Sequence, residues 1–132
     1  MLQECLLGER RDLIDQVLDK WSLSILALLC HSPHRYNELR REIPDITQKS
    51  LAQTLKRLER NGIIDRNVID TRPFAVQYSV TTLGQSLEGP LEALARWASD
   101  HIEDVDKARS RHDAHDARET GITVRSSTAA GR

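Results

Sequence analysis

The chain has 132 residues, is 39% apolar and carries 19 Lys/Arg against 20 Asp/Glu. That length has room for one domain with a modest core, and no apolar run is long enough to span a membrane. The start Met1-Leu2-Gln3-Glu4-Cys5 lacks the charged region and cleavage site of a signal peptide, and two cysteines far apart make no disulfide framework, so a cytoplasmic protein is expected.

In chain order, residues 1–9 read as an N-terminal arm. Leu13, Ile14, Val17 and Leu18 then mark a first amphipathic helix. Asp19 or Ser22 can start a second, Leu23-Ser24-Ile25-Leu26-Ala27-Leu28-Leu29-Cys30, which is apolar nearly all round and belongs in the core. Ser32-Pro33 ends it, and Trp21 at the junction reads as a core anchor. Arg35-Tyr36 can add a short strand. Asn37 can cap a short helix through Leu39, Arg40 and Ile43, which Pro44 stops because it lacks an N–H. Asp45-Ile46 is a tight connection, and Thr47 is a good cap for the helix after it. Two helices joined by so short a turn cross rather than lie antiparallel.

That next helix, from Thr47 to Leu58, separates an apolar side from a basic one. Leu55 and Leu58 fall within about 40° of Leu51, with Lys49, Gln53 and Lys56 opposite and Ser50 and Arg57 flanking them. A leucine back can sit on a core while Lys and Arg neutralise phosphates and Gln bonds an adenine edge. On these grounds Gln48, Lys49, Ser50, Gln53, Lys56, Arg57 and Arg72 are the candidate DNA-binding residues. Asn61-Gly62 supplies the left-handed stop. The period then becomes two: Ile64, Arg66 and Val68, then Val76, Tyr78 and Val80, around a connection from Asp70 to Phe74 that carries Arg72 and Pro73. A hairpin behind such a helix is a wing.

Thr82-Leu83-Gly84-Gln85 has capping-box spacing, and Leu83, Leu87, Leu91, Leu94 and Ala98 form a stripe edged by Trp97, with a kink expected at Pro90. One domain cannot bury this stripe, the first helix and Trp97 together, so a homodimer is expected through Leu13, Val17, Leu87, Leu91, Leu94 and Trp97. Residues 103–132, rich in Asp, Arg, His, Ser and Thr, read as a disordered tail, helical at most in its first turns. Charge supports the assignment of the middle segment. Residues 31–72 hold nine Lys/Arg and six Asp/Glu, while residues 1–30 hold three and five, and residues 73–102 one and three. The surplus is small, so useful affinity would need two copies of the site.

The Lys20-Trp21 helix start, Arg35-Tyr36-Asn37-Glu38-Leu39-Arg40-Arg41, Ile46-Thr47-Gln48-Lys49-Ser50-Leu51 and Leu58-Glu59-Arg60-Asn61-Gly62 resemble the HxlR-type winged-helix transcriptional regulators of bacteria. Arg72-Pro73-Phe74-Ala75-Val76-Gln77-Tyr78-Ser79-Val80-Thr81, followed by Leu83-Gly84, is similar to that family's second signature. The resemblance covers roughly residues 10–102. It implies a dimer built on the first and last helices, with recognition helices in successive major grooves of a palindromic operator. Many members carry an N-terminal Cys-Pro pair, and in some that cysteine senses oxidants or electrophiles. Here the matching position is Gly8, followed by Glu9, and Cys5 lies three residues earlier without the proline. Cys5 is thus the candidate redox residue, though not by inherited position.

The expected class is therefore mostly α with small β (α+β): a winged helix-turn-helix at residues 10–102 with N- and C-terminal dimerisation helices. Its expected partners are double-stranded DNA, a second copy of itself and a small-molecule or oxidant effector. Membrane, metal and cofactor are not expected. Cys30-His31-x-x-His34 lacks a fourth ligand nearby and straddles a proline. No phosphate loop, nucleophile elbow or carboxylate pair points to an enzyme. The competing readings are a MarR-type regulator and a winged-helix module that binds protein rather than DNA.

Overall fold

The computed structural model describes residues 1–130, with side chains through residue 120. The chain divides into two units, Met1–Gly89 and Pro90–Arg132. The first opens with α1 (Leu2–Cys5), α2 (Gly8–Val17) and α3 (Lys20–His31). Asp19 caps α3, its carboxylate accepting from the N–H groups of Trp21 (3.2 Å) and Ser22 (3.4 Å), two donors that a helix start leaves without backbone partners. Ile25, Leu26 and Leu29 of α3 are at 0–2% exposure, which makes this helix the centre of the core.

A short strand β1 (His34–Arg35) leads into α4 (Tyr36–Glu42), and α5 (Gln48–Arg60) follows after the Ile43–Thr47 connection. Leu39 from α4 and Leu51, Leu55 and Leu58 from α5 are fully buried beside α3 residues in the interior. Each such side chain contributes about 1.5–3 kcal/mol of burial. The strands β2 (Ile64–Thr71) and β3 (Phe74–Val80) form the hairpin, and β1 pairs on the other side of β3, giving an antiparallel sheet of order β1-β3-β2. In register, Ile64 opposes Val80, Arg66 opposes Tyr78 and Val68 opposes Val76, with an irregularity between Val68 and Asp70. Only the root of the hairpin is buried: along β2, Ile64 is covered and every later residue is exposed. The helices α6 (Thr82–Gln85) and α7 (Glu88–Ala130) complete the order.

Several expectations need correction. Trp21 is half-exposed rather than an anchor in the core, with the Lys20 ammonium 4.6 Å from its ring centroid. Asn37 lies inside α4 and does not cap it; the Glu38 carboxylate accepts from the Arg35 N–H at 3.0 Å and closes that helix start. The third strand comprises His34 and Arg35, one residue earlier than read, and the cap after the wing is Thr81, whose hydroxyl accepts from the Gly84 N–H at 3.0 Å. Asp70, Thr71 and Phe74 belong to the strands, which leaves Arg72-Pro73 alone as the turn.

The stripe expected to run through a kink at Pro90 is two helices, because α6 ends at Gln85 and α7 starts at Glu88. Pro90 stands in the first turn of α7, where an N–H would have had no helical partner. Within the second unit, α7 continues as helix through Ala130 where a tail without regular structure was expected. Exposed pairs one turn apart line it, Arg109–Asp106 (3.7 Å), His112–Asp116 (3.3 Å) and His115–Glu119 (3.0 Å), the histidine pairs being ionic only when the ring is protonated. Each adds a few tenths of a kcal/mol to the stretch of α7 beyond Ile102, which is polar nearly all round. The last two residues of that expected tail, 131 and 132, lie outside the described residues. No helix among the described residues is long and apolar enough to cross a membrane.

Candidate nucleic-acid interface

Both ends of α5 are set by local chemistry. The Thr47 hydroxyl accepts from the Ser50 N–H at 3.0 Å, as its sequence position suggested. At the other end the Gly62 N–H donates to the Glu59 carbonyl and the Ile63 N–H to the Leu58 carbonyl, both at 3.0 Å, with Gly62 at φ +73°. That is a Schellman closure, and the left-handed residue in it favours glycine. The start of α5 is tied to the start of α4 by the Tyr36 hydroxyl, which donates to the Gln48 carbonyl at 3.4 Å.

Lys49, Gln53 and Lys56 share the exposed face of this helix, opposite the buried Leu51, Leu55 and Leu58. Gln48 is exposed at the first helical position and Ser50 is half-buried beside the cap. Arg60, one turn past Lys56, extends the same exposed face and was not among the expected residues.

Arg57 does not join them. Its Nη2 donates to Asp19 Oδ2 at 3.3 Å and to the Ser22 hydroxyl oxygen at 3.1 Å, and its Nε is buried without a partner. The side chain bridges the recognition helix to the capped start of α3 and supplies a partner to a serine that is fully buried. A second polar tie runs parallel, from Asn61 Nδ2 to Gln16 Oε1 of α2 at 2.7 Å. Arg57 thus holds the helix in place rather than presenting a cation. Its flanking position left both directions open to a long side chain.

Arg72 sits exposed at the hairpin turn, its N–H donating to the Asp70 carboxylate at 3.2 Å, and the Arg72–Pro73 peptide is cis. Lower on the hairpin, Arg66 stands opposite Tyr78 in the register and lies 6.0 Å from the centroid of the Phe74 ring. Burial pushes the Tyr78 hydroxyl pKa up, and the neighbouring Arg66 guanidinium partly opposes that. The root of the hairpin meets the end of α5 at one node. The Thr81 hydroxyl donates to the Gly62 carbonyl at 2.6 Å, the Thr81 N–H donates to the Ile63 carbonyl at 3.0 Å, and a Cβ on Gly84 would collide with that same Ile63 carbonyl and with Val80.

Of the residues assigned to dimerisation, Leu13, Leu94 and Trp97 are exposed and Leu87 and Leu91 are half-buried. Val17, by contrast, is 7% exposed and belongs to its own chain's core, since it closes α2 against the interior. Leu18 and Ile102 are exposed apolar residues that the expected set lacked. Within the second unit, the Trp97 ring stacks on His101 with centroids 5.0 Å apart. Cys5 is half-buried at the end of α1. Gly8, at the position where the resembling family carries its cysteine, opens α2 at φ +58° with nothing within 4 Å of where a Cβ would stand. Cys30 is also half-buried, and burial first, then the charge of Glu88, raises its thiol pKa.

Two helices joined by a five-residue connection, an exposed polar face on the second and a hairpin rooted at that helix's end make up a winged helix-turn-helix of the kind transcription regulators carry. The chain belongs to the HxlR-like helix-turn-helix family, whose model matches residues 16–106. It is 44% identical over 86 residues to the HTH-type transcriptional regulator YtcD of Bacillus subtilis, covering 65% of this chain and 68% of that protein. Among solved structures it resembles the transcriptional regulator YtfH from Salmonella typhimurium, with a TM-score of 0.71 and 32% identity over 77% of this chain and 91% of that one. It also resembles the redox regulator HypR in its oxidised form, with a TM-score of 0.63 and 32% identity over 68% of this chain and 93% of that one. The family match favours the HxlR reading over the MarR-type one.

Proposed function

We propose that the protein is a homodimeric regulator that binds double-stranded DNA sequence-specifically at a palindromic operator. The observation that carries this reading is the exposed Lys49, Gln53 and Lys56 face on a helix whose other side is locked into the core by three buried leucines. Lys56 supplies charge for phosphates, Lys49 can bond a guanine edge, and Gln53 can bond an adenine edge through both ends of its amide. Arg72 at the wing turn adds a phosphate or minor-groove contact. Two copies set the half-sites about 34 Å apart, one helical turn of DNA. The exposed apolar residues Leu13 on α2 and Leu94 and Trp97 on α7 support assembly through those helices.

The test is a titration on duplexes selected from a randomised pool by the wild-type protein, with random duplex as the reference. Lys49→Ala and Gln53→Ala should remove the preference for selected duplex. Arg72→Ala should weaken both duplexes and reduce the salt slope by about 0.9. Unchanged binding in all three variants refutes the reading. Salt-independent or absent duplex binding by the wild type favours the protein-binding module instead.

A further inference from the structure

We propose that the cleft between the start of α4 and the hairpin grips the DNA backbone through Arg35, Arg41 and Arg66, an inference that rests on the DNA-binding reading above. The cleft has a volume of about 770 Å³ and is walled by Tyr36, Phe74, Val76 and Tyr78 as well as the three arginines. Those arginines come from three elements that meet only in the fold: Arg35 from β1, Arg41 from α4 and Arg66 from β2. All three are exposed, and none has a carboxylate within ion-pair distance among the described residues. Glu38 also lines the cleft, but its carboxylate is engaged by the Arg35 N–H, so the lining keeps a net charge of about +2.

The location decides the partner. Tyr36, in the cleft wall, bonds the Gln48 carbonyl at the first residue of α5, so one edge of the cleft adjoins the start of the recognition helix. Pro73 and Phe74 form the opposite edge at the wing turn. A duplex read by α5 in its major groove and touched by the turn in the next groove must pass the intervening sugar–phosphate strand between these two edges. Guanidinium forks match phosphate oxygens in two-pronged geometry, and the aromatic wall shields the contact from water. Arg66 stands opposite Tyr78 in the strand register, with its guanidinium 6.0 Å from the centroid of the Phe74 ring. These side chains carry no sequence information, so they set register and affinity while α5 supplies preference.

The experiment uses the 132-residue chain and the selected and random duplexes named above, titrated from about 50 to about 200 mM salt. Arg35→Ala combined with Arg41→Ala should weaken selected and random duplex alike and flatten the dependence of log K on log salt by about 1.8, about 0.9 per phosphate contact. Adding Arg66→Ala should bring the loss in slope to about 2.7, whereas Arg66→Lys should retain most of it because the charge remains. A thermal melt of each variant identifies any loss caused by unfolding, and the Arg35/Arg41 pair, on exposed sites, carries the test if Arg66→Ala melts low. Ethylation of backbone phosphates should interfere with wild-type binding between the two grooves and cease to interfere in the triple variant. If the folded Arg35/Arg41 variant binds with wild-type affinity and slope while Lys49→Ala loses preference, the cleft proposal is wrong and the DNA-binding reading stands. If the wild type binds no duplex, both fall.

Discussion

In α5, Leu51, Leu55 and Leu58 recur at helical spacing and lie at 0–1% exposure; in α7, Leu94 and Trp97 recur at the same spacing and lie at 48% and 55%. The first stripe is covered by α3 and the other residues of its own unit. The second is bare along a helix that supplies every described residue of its unit. Periodicity records that a face is to be covered, but it does not record by which chain. The difference lies in what flanks each stripe. A turn of five residues and a Schellman stop fold α5 back onto its neighbours, whereas α7 runs on as helix past its stripe to Ala130.

The largest expected effect contrasts the two stripes directly. Leu55→Asp places an unpaired carboxylate in the core and should abolish cooperative folding, because the burial penalty rivals the total stability of a domain this size. Leu94→Asp or Trp97→Asp should leave the circular dichroism and the melt of the first unit intact while converting dimer to monomer in light scattering. A wild-type protein that is monomeric at micromolar concentration would break the comparison, since the bare stripe would then need no second copy.

A smaller contrast uses glycines. Gly84→Ala drives a methyl group into the Ile63 carbonyl and Val80 and should cost about 1–3 kcal/mol in denaturant unfolding. Gly89→Ala meets open space in the first turn of α7 and should be neutral or gain up to about 1 kcal/mol. Equal effects at the two sites would show that the first unit's packing is looser than described.

Smaller again is the effect of Arg57→Ala. Its pair with Asp19 is about one-third exposed on both sides, so the loss should be about 1 kcal/mol, with most of it traceable to the buried Ser22 hydroxyl. The salt slope of DNA binding should stay at the wild-type value. A slope lowered by about 0.9 would return Arg57 to the phosphate contacts.

The smallest expected effect concerns the two thiols. Cys30 should react slowly with alkylating agents at neutral pH, since its raised pKa keeps it protonated, and its reactivity should climb only as pH rises past the ordinary thiol range. Diamide should leave operator affinity the same in wild type and Cys5→Ser. A Cys5-dependent loss of binding would overturn that expectation and establish redox control from a displaced position.

The caps of α5, its polar face and the alternation of the hairpin were readable because each depends on residues within a few positions of one another. Thr47 with Ser50, and Asn61 with Gly62, are short-range chemistry that works in any context. The destination of Arg57 depends on a carboxylate 38 residues away, and no local pattern points to it. The same holds for Arg35, Arg41 and Arg66, which the expected DNA-binding residues did not include because they gather in one cleft only after the strand order is known. Asn37 misled for a different reason. It is a good cap residue standing two places after the residue whose N–H had already been satisfied by Glu38.

The node where Thr81, Gly62, Ile63 and Gly84 meet fixes the angle between the reading helix and the hairpin at its base while leaving β2 beyond Ile64 exposed. The device behaves like a caliper with a rigid joint and replaceable jaws. Hairpin length is then a freely adjustable dimension. Adding one residue to each strand beyond Val68 and Val76 would carry the turn outward by about 3.3 Å and exchange the faces of everything distal to it, whereas adding two to each would carry it about 7 Å and keep every side chain on its original side. Relatives that differ in wing length by whole pairs on each strand could therefore share one joint, and chimaeric hairpins exchanged above the node should seat without any change in α5.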